Sequence, residues 1–136
     1  MQYYSGDSHI VEHWERFAKL KFVIAEYEIG WIAHALERLD HAVDYLTMKS
    51  REYFRRNFVA TFEGDKFGVA TRSGIGVENL MWGNDYPHHD SIWPKFMSTL
   101  QDSITGVSQP EIQSMCLDTV CRLYGMDQSK LPSTAS

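Results

Sequence analysis

The sequence predicts an α/β protein built on parallel strands. Three observations carry that prediction. Short apolar runs alternate with stretches of helical period, three such pairs follow one another, and each apolar run ends in acidic residues. The first run, Phe22 to Ala25 within "KLKFVIAEYE", is rich in β-branched residues and reads as a buried strand. A helix follows: Trp31, Ile32, Ala35, Leu36, Leu39, Ala42, Val43 and Leu46 recur at three- and four-residue steps, with Glu37, Arg38 and Asp40 on the other side. Ser50 is placed to cap a short helix carrying Tyr53 and Phe54. "FVATF", Phe58 to Phe62, is the second strand. Asp65 to about Ser73 is a helix ended by the Gly74–Gly76 pair. "VENLMWG", Val77 to Gly83, is the third strand. A last helix runs from about Gln109 to Tyr124, with Gly125 placed to stop it.

The chain of 136 residues is long enough for one domain with a real core, spanning 1–126, with the polar stretch 127–136 as a flexible tail. A net charge of −5 argues against a nucleic-acid partner, and the basic knot Arg51, Arg55, Arg56 reads as a solvated helix face. No apolar run reaches the roughly 18 residues of a membrane span, and the N-terminus lacks the pattern of a secretory leader. Cys116 and Cys121 lie five apart on a helix, too poorly directed to bridge. They read as thiols of a reducing, cytoplasmic compartment.

In parallel α/β proteins ligands gather beyond the C-terminal ends of the strands. Glu26 and Glu28 end the first strand, Glu63 and Asp65 follow the second, and Asp85 and His88 follow the third. The richest stretch is "MWGNDYPHHDSIWP", Met81 to Pro94. Pro87 restricts Tyr86 to extended backbone. His88 and His89 are adjacent and point oppositely in an extended chain, so at most one faces a site, and His88 is preferred. His34 and His41, seven apart on a helix, read as surface or interface residues. Near the start, Asp7 and His9 are two apart, so an extended segment puts a carboxylate and an imidazole on one face, a pairing that suits a divalent metal such as zinc. On spacing alone the plainer reading is a polar chain start.

These stretches resemble the amidohydrolase-related (amidohydrolase 2) family of metal-dependent hydrolases. The segment from Glu15 to Tyr45 is similar to that family's sixth strand and helix. "EYFRRNFVATFEGD" is similar to its seventh strand region, and "NLMWGNDYPHHDSIWP" to its eighth strand and following loop. "CRLYG" resembles the end of its last helix, and "DSH" the acid-x-His motif of its first strand. The resemblance implies a partial TIM barrel: strands six to eight plus a remnant of strand one, in the spatial order six, seven, eight, one, with strands two to five missing. It implies hydrolysis or non-oxidative decarboxylation of a small-molecule substrate with a divalent metal, zinc or similar. Asp7 and His9 would be first-strand ligands, and Asp85 the eighth-strand aspartate that binds metal and steers the attacking water. Glu26 stands where some relatives carry an active-site histidine. The fifth-strand histidine ligand would be lost with its strand.

Two other readings accompany this one. A barrel remnant could serve as a binding or interaction module without turnover. "GDS" (Gly6 to Ser8) and "DYPH" also echo the blocks of SGNH-type esterases, with Ser8 as nucleophile, His88 as base and Asp85 as its orienter. A half-barrel also predicts self-association, because its open face and edges would leave apolar side chains in water.

Overall fold

The computed structural model describes residues 16–42 and 47–131. Three strands form one parallel sheet in the order β1 (Phe22–Ile24), β2 (Phe58–Phe62), β3 (Leu80–Trp82). The register pairs Val23 with Val59 and Thr61 with Met81. This is the order expected of barrel strands six, seven and eight. The expected neighbour, around Asp7 to Val11, lies outside the described residues.

Helices cross between the strands: α1 (Ile32–Ala42) and α2 (Ser50–Asn57) after β1, then α3 (Lys66–Ala70) and α4 (Arg72–Ile75) after β2. After β3 come α5 (Phe96–Ser103), α6 (Gln109–Gln113), a π-helical stretch (Ser114–Asp118) and α7 (Thr119–Tyr124). One sheet face carries Ala60, Phe62 and Leu80 into a core with Ile29, Ile32, Leu36, Phe54, Val69, Ile75 and Met115. Of the apolar stripe read along α1, Ile32 and Leu36 fill this core while Trp31 and Leu39 are exposed, and α1 takes the ordinary outer place of a barrel helix rather than folding over the open face.

Several boundaries differ from the sequence reading. Val77–Asn79 is a 3-10 turn, so the third strand is shorter than its apolar run. The helix expected from Asp65 to Ser73 breaks at Thr71, and Gly76, at φ 121°, ends its second part. Lys49, not Ser50, precedes α2. The Glu52 carboxylate accepts from the Lys49 N–H at 2.8 Å, while the Ser50 N–H donates to Asp40 at 2.6 Å. The helix α5 was not foreseen. Gly125, at φ 66°, stops α7 as expected. Both cysteines are free, Cys121 buried and Cys116 half-buried, where burial pushes its thiol pKa up. The basic knot is not merely solvated: Arg56 lies 5.1 Å over the Tyr53 ring, and Arg55 is 3.7 Å from Glu78. In the stretch read as a tail, Gln128–Lys130 forms a 3-10 turn capped by Asp127, and Gln128 donates to Asp118 at 3.1 Å.

Two buried asparagines tie the N-terminal ends of the strands. Asn57 donates to the Leu20 carbonyl at 2.8 Å, and Asn79 donates to the carbonyls of Arg55 and Phe58 at 2.9 and 2.5 Å. The opposite ends are tied by carboxylates. Asp65 accepts from the N–H groups of Ile29 at 2.9 Å, Gly30 at 2.6 Å and Gly68 at 2.7 Å. Glu28 reaches the other way and accepts from the N–H groups of Glu63 and Gly64 at 3.2 and 3.3 Å. The loops after β1 and β2 thus clasp each other. The space is tight: a Cβ on Gly68 would lie 2.3 Å from Asp65 Oδ2 and 2.4 Å from Ile29 Cγ1. Asp65→Ala leaves three N–H groups without their acceptor and is expected to cost about 3 kcal/mol in chemical denaturation. A loss below about 1 kcal/mol would show that water replaces the carboxylate.

A second carboxylate anchors α6. Glu111 meets Arg72 through two bonds of 2.9 and 3.0 Å and accepts from the Ser108 hydroxyl at 2.7 Å. The bonds from Arg72, then from Ser108, hold its pKa down, from 4.5 to about 2. Its contribution to stability is therefore full above the ordinary carboxylate range and is lost as pH falls toward that depressed value. Glu111→Gln is expected to flatten the fall in Tm below about pH 4.5. An acid limb identical to the parent's would exclude this pair as its source.

Candidate functional site

The site lies at the C-terminal ends of the three strands, where parallel sheets place chemistry. Each strand leaves the sheet through irregular backbone. Glu26, Glu28 and Asp85 have φ of 65°, 49° and 51°, values that non-glycine residues adopt only where the surroundings hold them. The Glu26 N–H points to the Thr61 hydroxyl at 3.4 Å, the Gly83 N–H donates to the Phe62 carbonyl at 3.0 Å, and the Trp82 indole donates to the Glu63 carbonyl at 3.1 Å. The exit from β3 is a closed turn rather than extended chain. The His88 N–H donates to the Asp85 carbonyl at 2.8 Å across a cis Tyr86–Pro87 bond.

That turn brings two predicted residues together. The His88 imidazole Nδ1 lies 2.8 Å from Asp85 Oδ2. The carboxylate is the more sheltered partner, with 19% of its side chain exposed against 49% for the imidazole. An Nδ1–H donated to Asp85 fixes the ring and leaves Nε2 as the nitrogen that faces other chemistry. His89 stacks edge-on against His88, with ring centres 4.7 Å apart. Only His88 of the two pairs with Asp85, but not by the alternation expected of extended chain: the segment is a turn and the two rings lie in contact. Beside the turn runs an aromatic ladder. Tyr86 meets Trp93 at 5.4 Å, Trp93 stacks on Phe96 at 5.3 Å, and Phe96 meets Trp82 at 6.1 Å.

The carboxylates read as one cluster in sequence have different work in the structure. Glu28 and Asp65 are consumed by the loop clasp. Glu26 is exposed, near Glu63 but with no described ion pair. Glu63, which the sequence reading gave no role, sits at the centre. Burial first, then Asp85, Glu28, Asp90 and Glu26 in turn, push its carboxyl pKa up. Asp7, His9 and Ser8 lie outside the described residues. Among the described residues no group of three or more His, Cys, Asp or Glu side chains is placed to hold a metal. His34 and His41 lie exposed on α1, as expected, and border an open surface hollow with Glu37, Arg38 and Asp40. Among the described residues no helix is long and apolar enough to cross a membrane.

The raised carboxyl of Glu63 gives a prediction with a definite sign. An acid whose pKa is raised on folding opposes folding once ionised, so stability falls as pH rises from the ordinary carboxylate range through the raised value. Glu63→Gln is expected to melt above the parent at neutral pH, with the gap closing as pH falls to about 4. A variant that melts below the parent at neutral pH would show that the ionised side chain makes contacts worth more than the repulsion.

No family model matches the chain, and no curated protein matches it. Solved structures do. An amidohydrolase from Mycobacterium avium subsp. paratuberculosis K-10 superposes with a TM-score of 0.69 at 24% identity, over 85% of this chain and 31% of that one. 5-Carboxyvanillate decarboxylase LigW from Sphingomonas paucimobilis superposes with a TM-score of 0.67 at 23% identity, over 89% of this chain and 40% of that one. The chain therefore spans between about three tenths and two fifths of the length of these neighbours. Its parallel strands and their order have the fold of part of an amidohydrolase-type TIM barrel.

Proposed function

We propose that the chain supplies one side of the active site of an amidohydrolase-type enzyme, a hydrolase or decarboxylase of a small molecule. The observation that supports this most is the Asp85–His88 pair at the end of β3. A histidine held by a carboxylate through one ring nitrogen can take or give a proton at the other. During hydrolysis, His88 Nε2 would accept a proton from the attacking water or return one to the leaving group, with Asp85 stabilising the charged imidazole. During decarboxylation the same nitrogen would deliver a proton to the carbon that loses its carboxylate. Glu63, with its raised pKa, is a second proton carrier in reach of the same cluster. Glu26 stays in the proposal at the rim of the site.

Zinc or a similar divalent metal belongs to the proposal through Asp7, His9 and Asp85. The described residues do not by themselves make that site. They offer Asp85 as one ligand, so no step above is routed through a metal. A second reading, a barrel remnant that binds without turnover, is favoured by the share of the neighbouring chains that this one spans.

Two measurements separate these readings. Calorimetric titration with zinc is expected to show binding that Asp85→Asn weakens, while an unchanged affinity would remove Asp85 from any metal site. Assays on activated esters and on aromatic carboxylates are expected to show turnover that His88→Asn lowers about 100-fold or more. Absence of turnover on both classes, with zinc bound, would favour the binding remnant.

A further inference from the structure

β1 forms one edge of the sheet, and among the described residues nothing pairs with its outer side. Parallel strands are ordinarily covered, yet Phe22 and Val23 are 38% and 42% exposed. Phe17, Leu20, Tyr27 and Trp31 are exposed on the flanking segments. The charges around this edge are sorted: Lys19 and Lys21 precede the strand, and Glu26 and Glu28 follow it. We propose that this edge pairs antiparallel with the same edge of a second copy of the chain, across a twofold axis normal to the sheet.

The charge order selects this occupant and this direction. Under such a twofold the basic end of one strand lies beside the acidic end of the other, and the match occurs twice. Parallel pairing of two copies would set lysine beside lysine and glutamate beside glutamate, which opposes it. The apolar centre, Phe22 to Ile24, then meets itself, which covers side chains that an edge strand otherwise leaves in water. Not every charge is free to take part. The Lys21 ammonium donates to the Arg56 carbonyl, and Glu28 is held by the loop clasp. Lys19 and Glu26, both exposed and without a described ion pair, are the residues left to exchange partners.

Sedimentation velocity across the micromolar range tests the pairing, with thermal melts confirming that each variant folds. The parent is expected to dimerise, and added salt is expected to weaken the dimer. Lys19→Glu and Glu26→Lys are each expected to weaken it about tenfold, since each turns two attractions into two repulsions. The double variant, K19E with E26K, exchanges the two free charges and so keeps each opposite its complement, and it is expected to restore association. A parent that stays monomeric at high micromolar concentration would overturn the proposal and leave the edge to another chain. Association that neither single variant changes would overturn it by placing the interface elsewhere. A double variant as weak as the singles would overturn the antiparallel arrangement.

Discussion

The reciprocal carboxylate clasp between the first two strand exits is the interaction on which the rest of the site depends. Where a parallel strand turns toward its helix, several backbone N–H groups lose their sheet partners while the chain is still beside the core. Ile29 shows the problem plainly: its side chain is fully buried and its N–H belongs to no strand. Asp65 accepts that N–H and two others, and Glu28 accepts two from the opposite loop. The left-handed backbone at Glu26 and Glu28 persists because both sides of the turn are held. The packing leaves no alternative at Gly68, where any side chain would collide with the carboxylate that caps the helix. Carboxylates at this end of the sheet are therefore structural first, and only those outside the clasp are free for chemistry.

The two ends of the sheet solve the same problem with different side chains, and the difference has a functional meaning. At the N-terminal end Asn57 and Asn79 satisfy carbonyls, which need donors, and both are buried. A neutral amide can be buried at modest cost when it is hydrogen-bonded. At the C-terminal end the unpaired groups are N–H donors, so carboxylates satisfy them and bring negative charge with them. Burial is the first cause of the raised Glu63 pKa, and the charges of Asp85 and then Glu28 add to it. The way a parallel sheet terminates its backbone thus adds, through Glu28, to the surroundings that raise Glu63.

The sequence made the three strands, their parallel direction and, in Ile32 and Leu36, the core contacts of α1 legible, because apolar period survives much of what tertiary packing does, though it also counted Trp31 and Leu39, which are exposed. It also set His88 beside Asp85 in the esterase-type echo, but it read Pro87 as keeping the exit extended, where the structure has a closed turn that brings i and i+3 together. What it hid follows from physical causes. Val77 and Leu80 look alike as apolar residues, yet the 3-10 turn at Val77–Asn79 is set by Asn79 reaching across to α2, a contact invisible in local pattern. The helix Phe96–Ser103 carries a weak stripe of Met, Thr and Gln and buries only Leu100 and Ser103, so its period was faint. Glu28, Glu63 and Asp65 could not be told apart by type, because what separates clasp from chemistry is which backbone N–H lies within reach. One signal was available: Asp65 stands three residues before Gly68, the spacing of an N-cap to the N–H it accepts.

The inward face of this part of a barrel differs from the simplest expectation, in which the whole of it lies open. On that face Val59 and Met81 are nearly buried, at 4% and 5% exposure, while Val23 in the neighbouring strand is 42% exposed. The register places Val23 directly beside Val59, so the change happens within one strand spacing. An open face would expose residues on all three strands alike. A gradient that falls steeply away from β1 instead locates the incompleteness at one edge. Covering a face takes a whole layer of apolar side chains, whereas completing an edge takes a single strand whose backbone pairs and whose charges match. On this face the exposure therefore concentrates on the ten residues from Lys19 to Glu28, the same segment whose far end enters the loop clasp and carries Glu26 to the rim of the site. Any partner that completes this edge would also fix one wall of the proposed site.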